Sequence, residues 1–149
     1  MVEESCVFCR IIGGEEMVSI VHEDDRAIAF LDIQPMSRGH TLVVCKDHYP
    51  TLFDMPDDLA AHCIRLAKRI APGIKRATGA EAVNLFSANG HAGGQDVPHF
   101  HFHLIPVCEG EPFALQLPVD DAPVPMRSEL DIMAARIGRA IQDTIRSVA

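Results

Sequence analysis

Apolar residues along this chain fall into short β-prone runs and two long helical stripes. Val18 to Val21 and Ala27 to Leu31 flank the polar run Glu23-Asp24-Asp25-Arg26, the pattern of a hairpin. Asp32-Ile33-Gln34-Pro35 interrupts the second run, and Gly39 to Cys45 starts a third strand. Asp54, followed by Pro56 and Asp57, marks a helix start. Leu59, Cys63, Leu66, Ala67, Ile70 and Ile74 then recur at helical spacing. Pro72-Gly73 predicts a kink or an early end to that helix, with Gly79 as the final stop. Val83 to Phe86 is a fourth strand. His99 to Pro106 alternates strictly, so His99, His101 and His103 share one face of a fifth strand while Phe100, Phe102 and Leu104 take the other. Pro106 is expected to close it.

Before these runs, residues 6 to 14 suggest one short helical stretch ended by Gly13-Gly14. After them, residues 107 to 127 carry Pro112, Pro118, Pro123 and Pro125 among acidic groups and read as irregular. Ser128 with Asp131 then opens a last helix, with Leu130, Met133, Ala134, Ile137, Ile141 and Ile145 on one side. Strands and helices without βαβ alternation predict an α+β fold. It comprises a five-stranded, mainly antiparallel sheet, one long central helix, a short N-terminal helix and a C-terminal helix. At 149 residues the chain is expected to form one domain.

Composition narrows the function. A formal charge of −8 argues against binding a nucleic-acid polymer, which needs clustered Lys and Arg. An anionic small substrate must then be met locally, by imidazoles and backbone N–H groups. No apolar run is long enough to span a membrane, and Glu3-Glu4 replaces the apolar core of an export signal. A cytoplasmic protein is therefore expected, with its five cysteines as thiols or metal ligands rather than disulfides.

Adjacent histidines on a strand stand about 7 Å apart and the outer two about 13 Å apart. That row suits an extended polar substrate such as a phosphate ester better than a single metal ion. The loop Asn89 to Pro98 delivers the chain to it, and Gly93-Gly94 within that loop permits close backbone approach and an anion-binding nest. Neither a Walker nor a Rossmann glycine pattern is present. Neutral imidazole is a competent nucleophile towards phosphorus, provided its other ring nitrogen is fixed by a hydrogen bond, and a second imidazole can stabilise the anion.

The run His99-Phe-His-Phe-His-Leu-Ile resembles the signature of the histidine triad (HIT) nucleotide hydrolases and transferases, in their Hint-like branch. The likeness extends through Cys6-x-x-Cys9, Ala29-Phe-Leu-Asp-Ile33, Gly39-His-Thr-Leu-Val-Val44 and Gly94-Gln95, so it spans about residues 6–106 and leaves 107–149 as a C-terminal extension. The resemblance implies that His101 attacks the α-phosphorus of a purine nucleotide and carries the nucleotidyl group. It implies that His103 contacts the phosphate and its leaving oxygen, and that Asp32 accepts from the ribose hydroxyls. Phe8, Phe30 and Ile33 would form the base pocket, with Asn89, Gly94, Gln95 and Asp96 completing the substrate site. His40 is a further polar neighbour that either lines the site or supports its strand. It further implies a homodimer joined at the sheet edges. Some positions depart from the family pattern. Cys45 and Val107 stand where proline and arginine are frequent, Asp96 where serine or threonine is frequent, and Ala88 where a polar residue is usual, leaving Asn89 as its substitute.

Cys6, Cys9, His48 and His99 together make a tetrahedral zinc set, and Hint-like proteins of some bacteria share these four ligand positions. Four protein ligands close the coordination sphere, so this zinc is expected to be structural. Two other functions fit the same residues: a nucleotide-binding or interaction module with little turnover, and a metalloenzyme using His-x-His.

Overall fold

A computed structural model describes residues 5–110 and 125–148, with side chains described through residue 137 in the second stretch. The chain forms two compact units, residues 1–114 and 115–149. The first holds α1 (Val7–Ile12), β1 (Ile20–Glu23), β2 (Ala27–Leu31), β3 (Thr41–Cys45), α2 (Asp57–Thr78), β4 (Ala82–Phe86) and β5 (His101–Val107). Its strands form one antiparallel sheet in the order β1-β2-β3-β5-β4. This is the expected α+β architecture.

The alternation of β2 and β3 divides the core in two. Ala27, Ala29, Val43 and Cys45 face α2 and pack with Leu59, Cys63, Leu66, Ala67, Ile70, Ile74, Phe100 and Leu104. Ile28, Phe30, Leu42 and Val44 face the other way and pack with Cys6, Phe8 and Cys9 at α1. Both strands are covered on both faces, which is why they read as continuous apolar runs. Phe100 is fully buried between sheet and helix, and removing its ring would cost about 3–5 kcal/mol. With Phe100 and Leu104 committed to the α2 face, the histidines must lie on the α1 face.

Four boundaries differ from expectation. The Asp54 signal belongs to a separate turn of 3-10 helix at Leu52–Asp54, where Thr51 and Asp54 form a capping box; α2 starts only at Asp57, with Pro56 as its N-cap. Pro72 does not end α2, which runs on to Gly79. Both Pro72 and Lys68, whose carbonyl loses its partner, lie on the exposed face, where water replaces the missing bond. Pro106 likewise does not close β5. It pairs with Val83 inside the ladder and the strand continues to Val107. The first strand is shifted to Ile20–Glu23, an exposed edge that tolerates the charge of Glu23, ion-paired to Lys46 at 2.8 Å.

One glycine is fixed by contact. Gly39 has φ +95°, and a Cβ there would lie 2.5 Å from Thr78 Cγ2. Only glycine lets the chain enter β3 against the end of α2.

In the second unit, α3 spans Arg127–Val148, and Glu129 Oε2 accepts from the Met126 N–H at 2.9 Å. Leu130, Met133 and Ile137 are exposed. The expected positions Ile141 and Ile145, and most of the irregular segment 107–127, lie outside the described residues or side chains.

Candidate active site and metal centre

The histidine face of β5 and the α1 face of the sheet enclose a cavity of about 540 Å³. Its apolar wall includes Val7, Phe8, Ile11, Val18, Phe30 and Leu42, and its polar end holds Asp32, His40, Asp96, His101 and His103. Ile33 and Gly94 also line it. A mostly apolar cleft with a few convergent polar groups is the usual form of a small-molecule site.

His101 is 5% exposed, and its Nδ1 lies 2.7 Å from the carbonyl oxygen of His99. A carbonyl can only accept, so Nδ1 carries the proton and Nε2 keeps its lone pair. Burial holds the ring below the ordinary histidine pKa, hence neutral at pH 7. Phe8 braces it edge-on, with ring centroids 5.1 Å apart. His103 stands beside it, 4.7 Å between centroids, and is stacked at 4.3 Å and 10° on Phe86, its cross-strand partner in β4. The pKa of His103 is pushed down to about 4, by burial first and then by His101 and His40. Asp32 follows β2; its Oδ1 accepts from the Gln34 N–H at 2.8 Å, and its Oδ2 is 3.6 Å from His40 Nδ1.

The glycine loop holds its shape by internal bonds. The N–H groups of Gly93, Gly94 and Gln95 donate to His91 or Gly90 carbonyls, so these three amides are committed within the loop. Gln95 is a strut rather than a cavity wall: its Oε1 accepts from the Gly90 N–H at 2.7 Å and its Nε2 donates to the Pro50 carbonyl at 2.6 Å. Asn89 similarly turns away from the cavity, accepting from the Leu52 N–H at 2.7 Å.

On the same α1 face, just before β5, lies a second cluster. The ligand atoms of Cys6, Cys9, His48 and His99 all lie within 4.8 Å of one another. His99 donates from Nε2 to the Cys45 carbonyl at 2.8 Å, which leaves Nδ1 bare and facing Cys6 Sγ at 3.4 Å and Cys9 Sγ at 3.6 Å. Cys9 Sγ is also 3.3 Å from His48 Nδ1. Zn–S bonds of about 2.3 Å and Zn–N bonds of about 2.0–2.1 Å imply S···N separations of about 3.6 Å in a tetrahedron. The donor set therefore fits a tetrahedral metal ion. Burial is the largest influence on two of these groups: it pushes the Cys6 thiol up and His99 down to about 4. By contrast Cys45 and Cys63, pushed up to about 12 and about 11 by burial, are inert core thiols.

The sequence brought forward Phe8, Phe30, Asp32, Ile33, Gly94, Asp96, His101 and His103, all of which line one cavity. It missed Phe86 and the contribution of Glu16, Met17 and Val18 from the segment before β1. Phe86 was legible through register, since a residue opposite His103 must share its face.

Comparison with known proteins places these observations. The HIT domain model matches residues 14–110. An uncharacterised HIT-like protein of Methanocaldococcus jannaschii is 44% identical over 106 residues, covering 71% of this chain and 81% of its own. The adenylylsulfatase HINT3 of Arabidopsis thaliana is 41% identical over 104 residues, 70% of this chain but 53% of its own, so this chain spans about half its length. The adenosine 5'-monophosphoramidase HNT1 of Saccharomyces cerevisiae is 39% identical over 104 residues, 70% of this chain and 63% of its own. Among solved structures, SMU.412c of Streptococcus mutans superposes with a TM-score of 0.87 at 32% identity, covering 93% of this chain and 87% of its own. A zinc-bound histidine triad family protein of Mycobacterium smegmatis does so at 0.70 and 32%, covering 97% and 98%.

Proposed function

The chain belongs to the HIT domain family, and from that premise we propose that it is a nucleotide hydrolase or nucleotidyl transferase acting at the α-phosphate of purine nucleotides. The observation that carries this reading is the fixed tautomer of His101, whose Nδ1–H is held 2.7 Å from the His99 carbonyl while the ring lines the cavity. The lone pair of Nε2 forms a bond to the α-phosphorus, and the bond from phosphorus to the leaving group breaks with its electron pair; a phosphate leaves as its oxyanion, and a phosphoramidate nitrogen leaves as the amine, having taken up a proton from solvent. The ring becomes a cation in the nucleotidyl-imidazole, and the His99 carbonyl stabilises that charge through the Nδ1–H. Water then displaces Nε2 from phosphorus, releasing nucleoside monophosphate and a proton.

The apolar wall of Phe8, Phe30 and Ile33 suits a base, and the Asp32 carboxylate suits ribose hydroxyls. Nucleoside phosphoramidates are the first substrates to test and dinucleoside polyphosphates the second; the names of HNT1 and HINT3 support adenylyl chemistry with varied leaving groups. Cys6, Cys9, His48 and His99 would hold a structural zinc, supported by their donor geometry and by the zinc-bound relative. Bound zinc would supply a cross-link between α1 and the start of β5. A cytoplasmic, reducing setting suits such thiolates. A homodimer paired through a sheet edge is expected, and sedimentation of the intact protein tests it.

His101→Ala should abolish hydrolysis while nucleotide still binds, and acid-quenched wild type should retain radiolabelled nucleotide. Near-normal turnover by the variant refutes the nucleophile. Asp96, an acidic group in the cavity wall, favours a second reading, a nucleotide-binding module with little turnover. Under it, wild type binds nucleotide but traps no label.

A further inference from the structure

Most charged and polar side chains of the cavity gather at one end, the end proposed for ribose and phosphate. Asp32 lies 3.6 Å from His40 there, and the rings of His101 and His103 stand 4.7 Å apart. Glu16 lines the same cavity but belongs to the other end. It sits on the segment between α1 and β1, where Met17 and Val18 follow it as further lining residues. Two bonds hold this segment against α1. The Glu15 N–H donates to the Arg10 carbonyl at 2.9 Å, and Arg10 Nη2 donates to Glu16 Oε1 at 2.9 Å. Arg10 immediately precedes Ile11, which also lines the cavity, so the Glu16 carboxylate is fixed beside the apolar wall proposed to take the base. A carboxylate in such a wall weakens the binding of any purely apolar group. It favours a ligand that brings hydrogen-bond donors to it.

The bases differ in that respect. Guanine presents N1–H and the N2 amine side by side on its pairing edge, two donors that a carboxylate accepts together. Adenine presents its N6 amine beside N1, an acceptor that repels a carboxylate oxygen. Neither pyrimidine offers two adjacent donors. A carboxylate has about four acceptor positions, and Arg10 takes one of them on Oε1, leaving Oε2 open among the described residues. We infer that Glu16 is a specificity-determining residue that reads the pairing edge of the base and makes guanosine nucleotides the preferred substrates. The inference rests on the proposed function for the presence of a nucleotide. Its geometry rests on the Arg10–Glu16 pair and on the place of Glu16 in the cavity wall.

The test compares guanosine and adenosine 5'-phosphoramidates that carry the same amine, with metal-loaded full-length protein. Wild type should favour guanosine about tenfold in kcat/KM, the low end for a bidentate pair because the Glu16 side chain is 45% exposed. The preference should lie in KM, since the base is remote from the reacting phosphorus. Glu16→Gln keeps the shape but sets an amide donor against the donors of guanine, and it should abolish the preference. A merely structural role for Glu16 predicts instead that both substrates suffer alike and the ratio stays as it was. Equal use of the two substrates by wild type, a preference for adenosine, or a guanosine preference that survives Glu16→Gln overturns the inference. Should wild type hydrolyse neither substrate, the proposed reaction falls, and calorimetric affinities for GMP and AMP, in wild type and variant, test Glu16 by the same ratio. Binding of neither nucleotide overturns both.

Discussion

Replacing Phe8 by leucine tests the link between packing and chemistry at one residue. Phe8 is 6% exposed, and its ring meets Phe30, His99 and His101 edge-on, with centroids 5.6, 5.9 and 5.1 Å away. Leucine keeps an apolar group there but buries about 40 Å² less surface, a loss of about 1 kcal/mol at about 25 cal/mol per Å². Losing the edge contact with Phe30 adds about 0.5–1.5 kcal/mol, and the two imidazole contacts add a smaller amount of the same kind, giving about 2–3 kcal/mol in all. For 149 residues the unfolding entropy is about 0.3 kcal/mol/K, so Tm should fall by about 7–10 °C. Because the same ring braces His101, kcat should fall as well, with a rise in KM from the altered base wall. Thermal unfolding of the metal-loaded variant and steady-state hydrolysis are the two assays. A Tm drop below about 2 °C together with unchanged kinetics would refute the reasoning.

Other expectations follow from single observations. Cys9→Ser removes the sulfur that faces both His48 and His99, so the proposed zinc, measured by elemental analysis, should drop to near zero in the variant; chelation of wild type should lower Tm before it lowers initial rate. His103 has a folded pKa of about 4 against an ordinary 6.5, so the unfolded chain takes up the proton first as pH falls. Stability should decline from about pH 6.5 towards pH 4, and His103→Gln should flatten the urea midpoints measured across that range. Gly73→Ala should raise stability by about 0.5–1 kcal/mol, since the position is helical and an added Cβ meets nothing within 4 Å. Gly39→Ala should do the opposite and lower kcat, because the collision with Thr78 displaces the neighbouring His40; an unchanged kcat would separate His40 from the site.

Much of this architecture was legible because burial imposes period. The stripe Leu59 to Ile74 and the alternation of Phe100, Phe102 and Leu104 report directly which face meets the core. The errors fell where local signals compete. Pro72 and Pro106 read as breakers, yet one sits on a solvated helix face and the other on a ladder position whose missing N–H the sheet tolerates. Asp54 signalled a cap correctly, but for a single turn whose existence no periodicity could reveal. In the site, residue types announced the imidazoles and thiols. Their tautomers were not legible, since they depend on whether the fold turns the Cys45 carbonyl towards His99 and the His99 carbonyl towards His101. Asn89 and Gln95 illustrate the same limit: their amides could face a ligand or brace a loop, and only the fold decides.

The strict alternation of β5 carries a consequence for folding fidelity. A slip of one residue against β3, where Val44 pairs with His101 and Leu42 with His103, would turn phenylalanines into the cavity and drive imidazoles into the α2 core. Such a misregistered strand would bury polar rings without partners and strand the thiols of α1, so it gains nothing that could hold it. The amide of Phe100, bonded to the Tyr49 carbonyl at 2.7 Å, sets the phase just before the ladder begins. Length changes are therefore affordable upstream, in the loop before Phe100, and an odd insertion within the strand itself is not.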